Sequence, residues 1–446
     1  MKRASGFALA LFLVACGGNN GGDVDGSTSH PDAAHHDGSS SNPDANDTDG
    51  TAVDSHMTNP DSSTVDAAPG SYYTIPLTSP DGSLWGPQVT IGTQTFFMDL
   101  DTGSTTIGVA GSACTQCTSV TPKYAPGAGA TDYNHTAQTE YADGSGWSGE
   151  IWTDTVSLAH GTMGIALKFV DISMQSDFFY QNEYQGIFGM GDTHNAEPNT
   201  DAYMNKEVAA NGFTNSMAFE LCGMNDGGGD GTMWLGGYDS SHASAAAVYT
   251  PLKSISNNQP FYAIDISGMS IGNTVVGTGA AAFEEPVVDT GTTYFYLPSS
   301  IFTATTNAIK GSTGYTALFG TAMLREDHCV TGTGVTAAMV DAMLPSMNIS
   351  MPDMNGGTVT ITALPMESYF YDGGNGMFCY ALGNGGTQDA TTMGDAIMRN
   401  FVTVIDIGNG QVGWAPDSGC GAPPVARSHF GKIARPMLPK RGNRAQ

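Results

Sequence analysis

Two short segments of the chain carry residue types suited to acid–base chemistry without a metal. They are Phe96-Phe97-Met98-Asp99-Leu100-Asp101-Thr102-Gly103-Ser104-Thr105 and Pro286-Val287-Val288-Asp289-Thr290-Gly291-Thr292-Thr293. Each is an apolar run entering Asp-Thr-Gly-Ser/Thr, and Asp101 and Asp289 stand 188 positions apart. A lone Asp-Thr-Gly is ordinary turn chemistry; a second copy after a second apolar run points to a pair. Two carboxyls held a few ångströms apart cannot both ionise, so one pKa falls, the other rises, and the pair keeps one proton. In that state it accepts a proton from a bound water while donating one to a substrate carbonyl. The flanking residues suit the task. Thr102 and Thr290 are placed to cross-link the two loops through hydroxyl-to-backbone bonds, and Ser104 and Thr292 to bond the outer carboxylate oxygens. Gly103 and Gly291 let the backbone turn tightly behind the acids.

The elements that must hold such loops read as β-strands. From Tyr72 onward the chain is a series of short runs rich in β-branched and aromatic residues, broken by Gly, Asn-Gly and Pro. Its 446 residues allow two or three domains and a large core, and 59 glycines with only 13% charged residues argue against a helical bundle. A net charge of −28 argues against a nucleic-acid binder, which would carry a basic footprint. Between residues 71 and 420, 33 acidic residues face seven basic ones (Lys123, Lys168, Lys206, Lys253, Lys310, Arg325 and Arg399). Acid has few ion pairs to break there, and it relieves self-repulsion, which suits work at low pH; the same charge also serves solubility. There is no HExxH, no paired CxxC, no Walker loop, and no GxGxxG leading into a helix. Neither metal nor cofactor is expected.

The first 16 residues, MKRASGFALALFLVAC, place two cations before a nine-residue apolar run, Phe7 to Ala15, too short to span a bilayer. Leu13-Val14-Ala15-Cys16 resembles a bacterial lipobox, which implies a lipoprotein signal peptide over 1–15 and acylation of Cys16. Gly17 rather than Asp follows, favouring the outer membrane over the inner. Residues 17–70 hold ten Asp and no Lys, Arg, Glu or aromatic residue, so the 16–70 segment is expected to be a disordered stalk. His35 and His36 within it read as solvated linker residues. A basic tail, 421–446, closes the chain with six cations from Arg427 to Arg444.

Taken together, the two Asp-Thr-Gly turns and their surroundings resemble the pepsin-like aspartic proteases over roughly residues 72–418. Tyr141-Ala142-Asp143-Gly144-Ser145-Gly146-Trp147-Ser148-Gly149 is similar to the family's flap hairpin, and Asp154-Thr155-Val156 follows it. Gly186-Ile187-Phe188-Gly189-Met190-Gly191 is similar to the segment threaded behind the first loop. Gly394-Asp395, Phe401 to Asp406 and Val412-Gly413-Trp414-Ala415-Pro416 are similar to its C-terminal counterpart, and Trp234 to Asp239 to a strand near the lobe boundary. The resemblance implies an all-β, bilobal fold, with an N-terminal lobe at 71–250 and a C-terminal lobe at 251–420. It implies an aspartic endopeptidase in which water held between catalytic Asp101 and Asp289 attacks extended peptide or protein segments, with no covalent acyl-enzyme. Tyr141, Ala142 and Asp143 of the flap and Thr293, with Ser104 and Thr292, are the implied substrate contacts, and the chain is expected to be a monomer touching the membrane through its lipid alone.

The sequence departs from the family in three places. The Trp often found seven positions after the first Asp is replaced by Gly108, leaving Tyr141 without its usual indole partner unless Trp147 or Trp152 supplies one. Gln185 stands where Asp is usual, and Asp99 shares a strand face with Asp101, where it reads as structural. The stalk has no cation, so a conventional basic propeptide is not expected. Besides Cys16 there are six cysteines, an even number in an exported chain, with fifteen possible pairings. The resemblance implies Cys114–Cys117, Cys329–Cys379 and Cys222–Cys420. A catalytically weak or inactive surface-displayed binding protein on the same fold is the rival reading, motivated by Gly108.

Overall fold

The computed structural model describes residues 72–420 except 81, 159–161, 163, 180–183, 224–229, 254–260, 375 and 387–390. The expected signal peptide, Cys16, the stalk to residue 70 and the basic tail from 421 lie outside the described residues.

Period-two alternation produces most strands. Tyr73–Thr78 buries Ile75 and Leu77 and exposes Thr74, Pro76 and Thr78, and Met347–Pro352 buries Met347, Ile349 and Met351. Alternation gives way to continuous burial where a strand runs between two neighbours, as in Gln94–Asp101 from Met98 onward and in all of Gly186–Gly189.

The molecule is mostly β and bilobal. A seven-stranded sheet runs Gln88–Ile91, Gln94–Asp101, Gly186–Gly189, Gly108–Ala110, Ile165–Ser176, Gly146–Leu158, Thr131–Glu140, and Gln88–Ile91 also pairs with Gly146–Leu158. Its counterpart in the second half is a four-stranded sheet of Val287–Val288, Thr392–Met393, Phe295–Leu297 and Leu382–Asn384. A six-stranded antiparallel sheet joins strands from both halves in the order Tyr73–Thr78, Asp230–Leu235, Ser216–Leu221, Phe401–Asp406, Gln411–Pro416, Val248–Pro251.

Both Asp-Thr-Gly loops are built alike. Gln94–Asp101 runs into the first loop and Gly108–Ala110 leaves it, with Gly186–Gly189 between them, parallel to one and antiparallel to the other. Val287–Val288 and Phe295–Leu297 flank the second loop, with Thr392–Met393 between them in the same sense. The threaded strand needs glycine: a Cβ on Gly186 would lie 2.4 Å from Gly108 O, and one on Gly189 2.4 Å from Thr105 C. Disulfides join Cys114 to Cys117, Cys222 to Cys420 and Cys329 to Cys379.

Helices are few, and one of them runs against its local propensity. Ser299–Lys310 contains several β-branched residues, yet Ile301, Thr305 and Ile309 fall at helical spacing and are buried. It packs on the strand Thr274–Thr278, so burial of that face outweighs propensity.

Candidate active site

The threaded strands bring the two loops face to face. Thr102 Oγ1 donates to Val288 O at 2.9 Å, and Thr290 Oγ1 donates to Leu100 O at 2.8 Å. Each hydroxyl also accepts the other threonine's backbone N–H at 3.1 Å. Four reciprocal bonds thus tie loops that are 188 positions apart, and no water competes for them because both threonines are buried.

Asp101 and Asp289 sit at the centre of this crossing and are completely buried. Asp101 Oδ1 accepts from Gly103 N at 2.7 Å and Ser104 N at 3.1 Å, and its Oδ2 accepts a short bond from Ser104 Oγ. Asp289 Oδ1 accepts from Gly291 N at 2.9 Å, and its Oδ2 from Thr292 Oγ1 at 2.5 Å. The two carboxyls face each other across the crossing, each against the glycine of the opposite loop. Burial, then the facing charge of Asp289, holds Asp101 well above the usual carboxylate range. Burial also raises Asp289, while Thr292 and Asp101 work in the opposite direction. The pair therefore carries one proton between its two members over a wide pH range.

Sequence reasoning did not find the side chains that brace these loops from a distance. Asn195, buried, donates from Nδ2 to Gly103 O at 3.1 Å. Tyr262 OH donates to Met190 O at 2.9 Å, next to the threaded strand. Thr293, read from the sequence as a cleft residue, is buried with its hydroxyl donated to Ser83 O at 2.9 Å, so it ties the second loop to the first half of the chain. No local signal marks any of these contacts. Asp99 is buried on the same strand as Asp101, and its charge acts on both Asp101 and Tyr141.

The hairpin of Thr131–Glu140 and Gly146–Leu158 carries Tyr141 at its turn, near enough to the pair for the charge of Asp101 to act on it. Ala142, Asp143 and Gly144 form its exposed tip. The turn is tied by Gly144 N to Tyr141 O at 3.0 Å, by Tyr141 N to Ser145 O at 2.8 Å, and by Ser145 N to Asp143 Oδ1 at 2.8 Å. Tyr141 itself is fully buried, stacked on Phe178 at 5.6 Å between centroids, and its hydroxyl accepts from Trp147 Nε1 at 2.9 Å. Trp147 is therefore the indole partner that Gly108 cannot provide. A Cβ on Gly108 would already lie 3.0 Å from Ile172 Cδ1, so that space is taken. Trp152 packs against the main core instead.

Losing this bond should loosen the hairpin. Trp147→Phe is expected to raise KM for a peptide several-fold, as one lost hydrogen bond of about 1 kcal/mol implies. Tyr141→Phe should do the same, and the double variant should add little. Additive effects in that double-mutant cycle would show that the two rings act separately.

The family model for eukaryotic aspartyl proteases matches residues 85–417. An aspartic protease of Phaffia rhodozyma is 25% identical over 339 residues, covering 75% of this chain and 76% of that protein. Rhizopuspepsin-2 of Rhizopus niveus is 27% identical over 325 residues, 72% of this chain and 75% of the relative. A beta-secretase of Strongylocentrotus purpuratus is 25% identical over 371 residues, 75% of this chain and 66% of the relative.

Proposed function

Because the chain belongs to the eukaryotic aspartyl protease family, and so is an aspartic-type endopeptidase acting on peptide or protein substrates, we propose that Asp101 and Asp289 are its catalytic pair and that it works in acid. The observation that carries this is two fully buried carboxyls facing each other on cross-linked loops. With one proton shared, the ionised carboxylate takes a proton from water as its oxygen attacks the scissile carbonyl. The protonated acid gives its proton to the carbonyl oxygen, leaving a neutral gem-diol. Collapse returns one hydroxyl proton to the pair while the leaving nitrogen is protonated, and the C–N bond breaks. Both acids are buried in the free protein, and the hairpin tip is the element that moves as an extended segment reaches them. Backbone groups of Ala142 and Asp143 then pair with it as an added strand.

The test is cleavage of a denatured protein between pH 2 and 7, with and without pepstatin. Activity should peak in acid, be blocked by pepstatin, and disappear as pH rises through the upper macroscopic pKa of the pair. A folded protein inert across that range would favour the binding-protein reading. Trp147 weakens that rival, which was motivated by the lack of an indole at Gly108. Stability should follow the same direction. Asp101 and Asp289 are raised, and burial pushes the Asp171 and Glu207 carboxyls up to about 7. Carboxyls raised in the folded state give their full contribution below the unfolded pKa of about 4 and lose it as pH rises through the folded values. The melting temperature is therefore expected to fall between pH 4 and 7.5.

The reading of the chain's surroundings is also ours: a monomer exported by the 1–15 signal, held by acyl groups on Cys16 at the outer membrane, with 16–70 as its stalk. The lipobox-like Leu13 to Cys16 supports it. Cys16→Ser should move the protein from the membrane to the soluble fraction; an unchanged membrane fraction would argue against the anchor.

A further inference from the structure

The six-stranded sheet has a second face. Met217, Phe219 and Leu221 point into the main core, so Ala218 and Glu220 of the same strand point the other way. There Ala218, Trp234, Tyr238, Val402, Val404 and Ala415 form a small apolar cluster. The chain that connects the first half to the strand Val248–Pro251 crosses this cluster, with Ala243 and Ala247 packed on it.

A group of titratable side chains outside the active site pins that connection. Glu220 is only 4% exposed, and His242 Nδ1 lies 2.9 Å from both of its carboxylate oxygens. A carboxylate oxygen of Asp417 lies within 4.8 Å of one of Glu220, close enough for each charge to act on the other. Backbone bonds run alongside: Ser244 N to Pro416 O at 2.8 Å and Ser418 N to His242 O at 3.0 Å. The His242 ring meets Trp234 edge-on at 5.0 Å, and Cys420, bonded to Cys222, has its Sγ 3.5 Å from Asp417 Oδ2. Among the described residues, the other ionisable groups beside this site are Asp239, whose carboxylate accepts from Ser241 N and whose charge acts on His242, and Tyr72 next to Asp239.

We propose that Glu220, His242 and Asp417 form a pH-operated clasp on the connection between the two halves of the molecule, closed in acid and loosened near neutrality. In acid the two carboxyls share a proton, and Glu220 keeps its contact with the His242 ring. As pH rises the shared proton leaves. Two carboxylates then face each other in a half-buried site, where like charges repel strongly. Burial raises both Glu220 and Asp417, so the stabilisation is complete below the ordinary carboxylate range and is lost as pH climbs.

Hydrogen–deuterium exchange of the full chain tests this locally. Corrected for intrinsic rates, protection of the amides of residues 242–244 and 418 should fall about tenfold from pH 5 to pH 7, the equivalent of one pKa unit. In Asp417→Asn, which keeps a hydrogen-bond donor toward Glu220 and removes one charge, the fall should largely vanish. Glu220→Gln serves as the second variant should the first fail to fold. The clasp is refuted by an equal fall in wild type and variants, or by no fall in wild type. It is also refuted if zinc chloride alone restores protection at pH 7 to EDTA-treated wild type, since the cluster would then be a cation site.

Discussion

Asp289→Asn and Asp101→Asn are each expected to lower kcat by at least about a thousandfold while leaving the fold intact, a loss at the scale of general acid–base catalysis. The carboxamide has nearly the shape of the carboxyl and still accepts the N–H of Gly291 or Gly103, so the loop keeps its local bonds. What it cannot do is hold or exchange the shared proton, on which both attack by water and protonation of the carbonyl depend. Asn at either position removes one of the two groups between which the proton is shared. The two variants should be about equally inactive, because either change leaves one acid without its partner, and the double variant should be no worse than a single one. Turnover of a denatured protein at acid pH, beside a thermal melt, reads this directly. Activity within tenfold of wild type in either variant would remove that residue from the catalytic step.

Gly103→Ala and Gly291→Ala should be nearly as damaging, for a steric reason. A Cβ on Gly103 would lie 2.6 Å from Asp289 Cγ and Oδ1, and one on Gly291 would lie 2.6 Å from Asp101 Oδ1. Each glycine therefore faces the acid of the opposite loop, and a methyl group must push that carboxyl aside. The carboxyls cannot yield cheaply, since Ser104 and Thr292 hold their outer oxygens and the threonine cross-links fix the loops. Displacement by about 1 Å costs on the order of a hundredfold in rate. The expected result is a loss of at least that size in kcat/KM, with a shifted pH profile as the pair separates. Wild-type activity in Gly103→Ala would mean that the loops are more compliant than the cross-links imply.

The local chemistry of the loops was legible in the chain itself. Asp101, Gly103 and Ser104 interact within three residues, as do Asp289, Gly291 and Thr292, so residue type and spacing were enough to read acid, turn and hydroxyl support. The strands were legible as well, because alternation maps directly onto burial along Tyr73–Thr78 and Met347–Pro352. The helix Ser299–Lys310 was not, since its β-branched residues point one way and its partner strand decides the other.

Contacts between distant segments were decided only by tertiary structure. Trp147 and Trp152 sit on one strand, and nothing in their spacing says which one reaches Tyr141; the hairpin register does. Asn195 finds Gly103 across 92 positions, and Asp417, just past the strand Gln411–Pro416, meets Glu220 because that strand and Ser216–Leu221 belong to the same sheet. Sequence encodes interactions that close within a turn, where few conformations compete. Interactions that close across the fold depend on register and threading, set by the packing of the whole core rather than by the residues that meet.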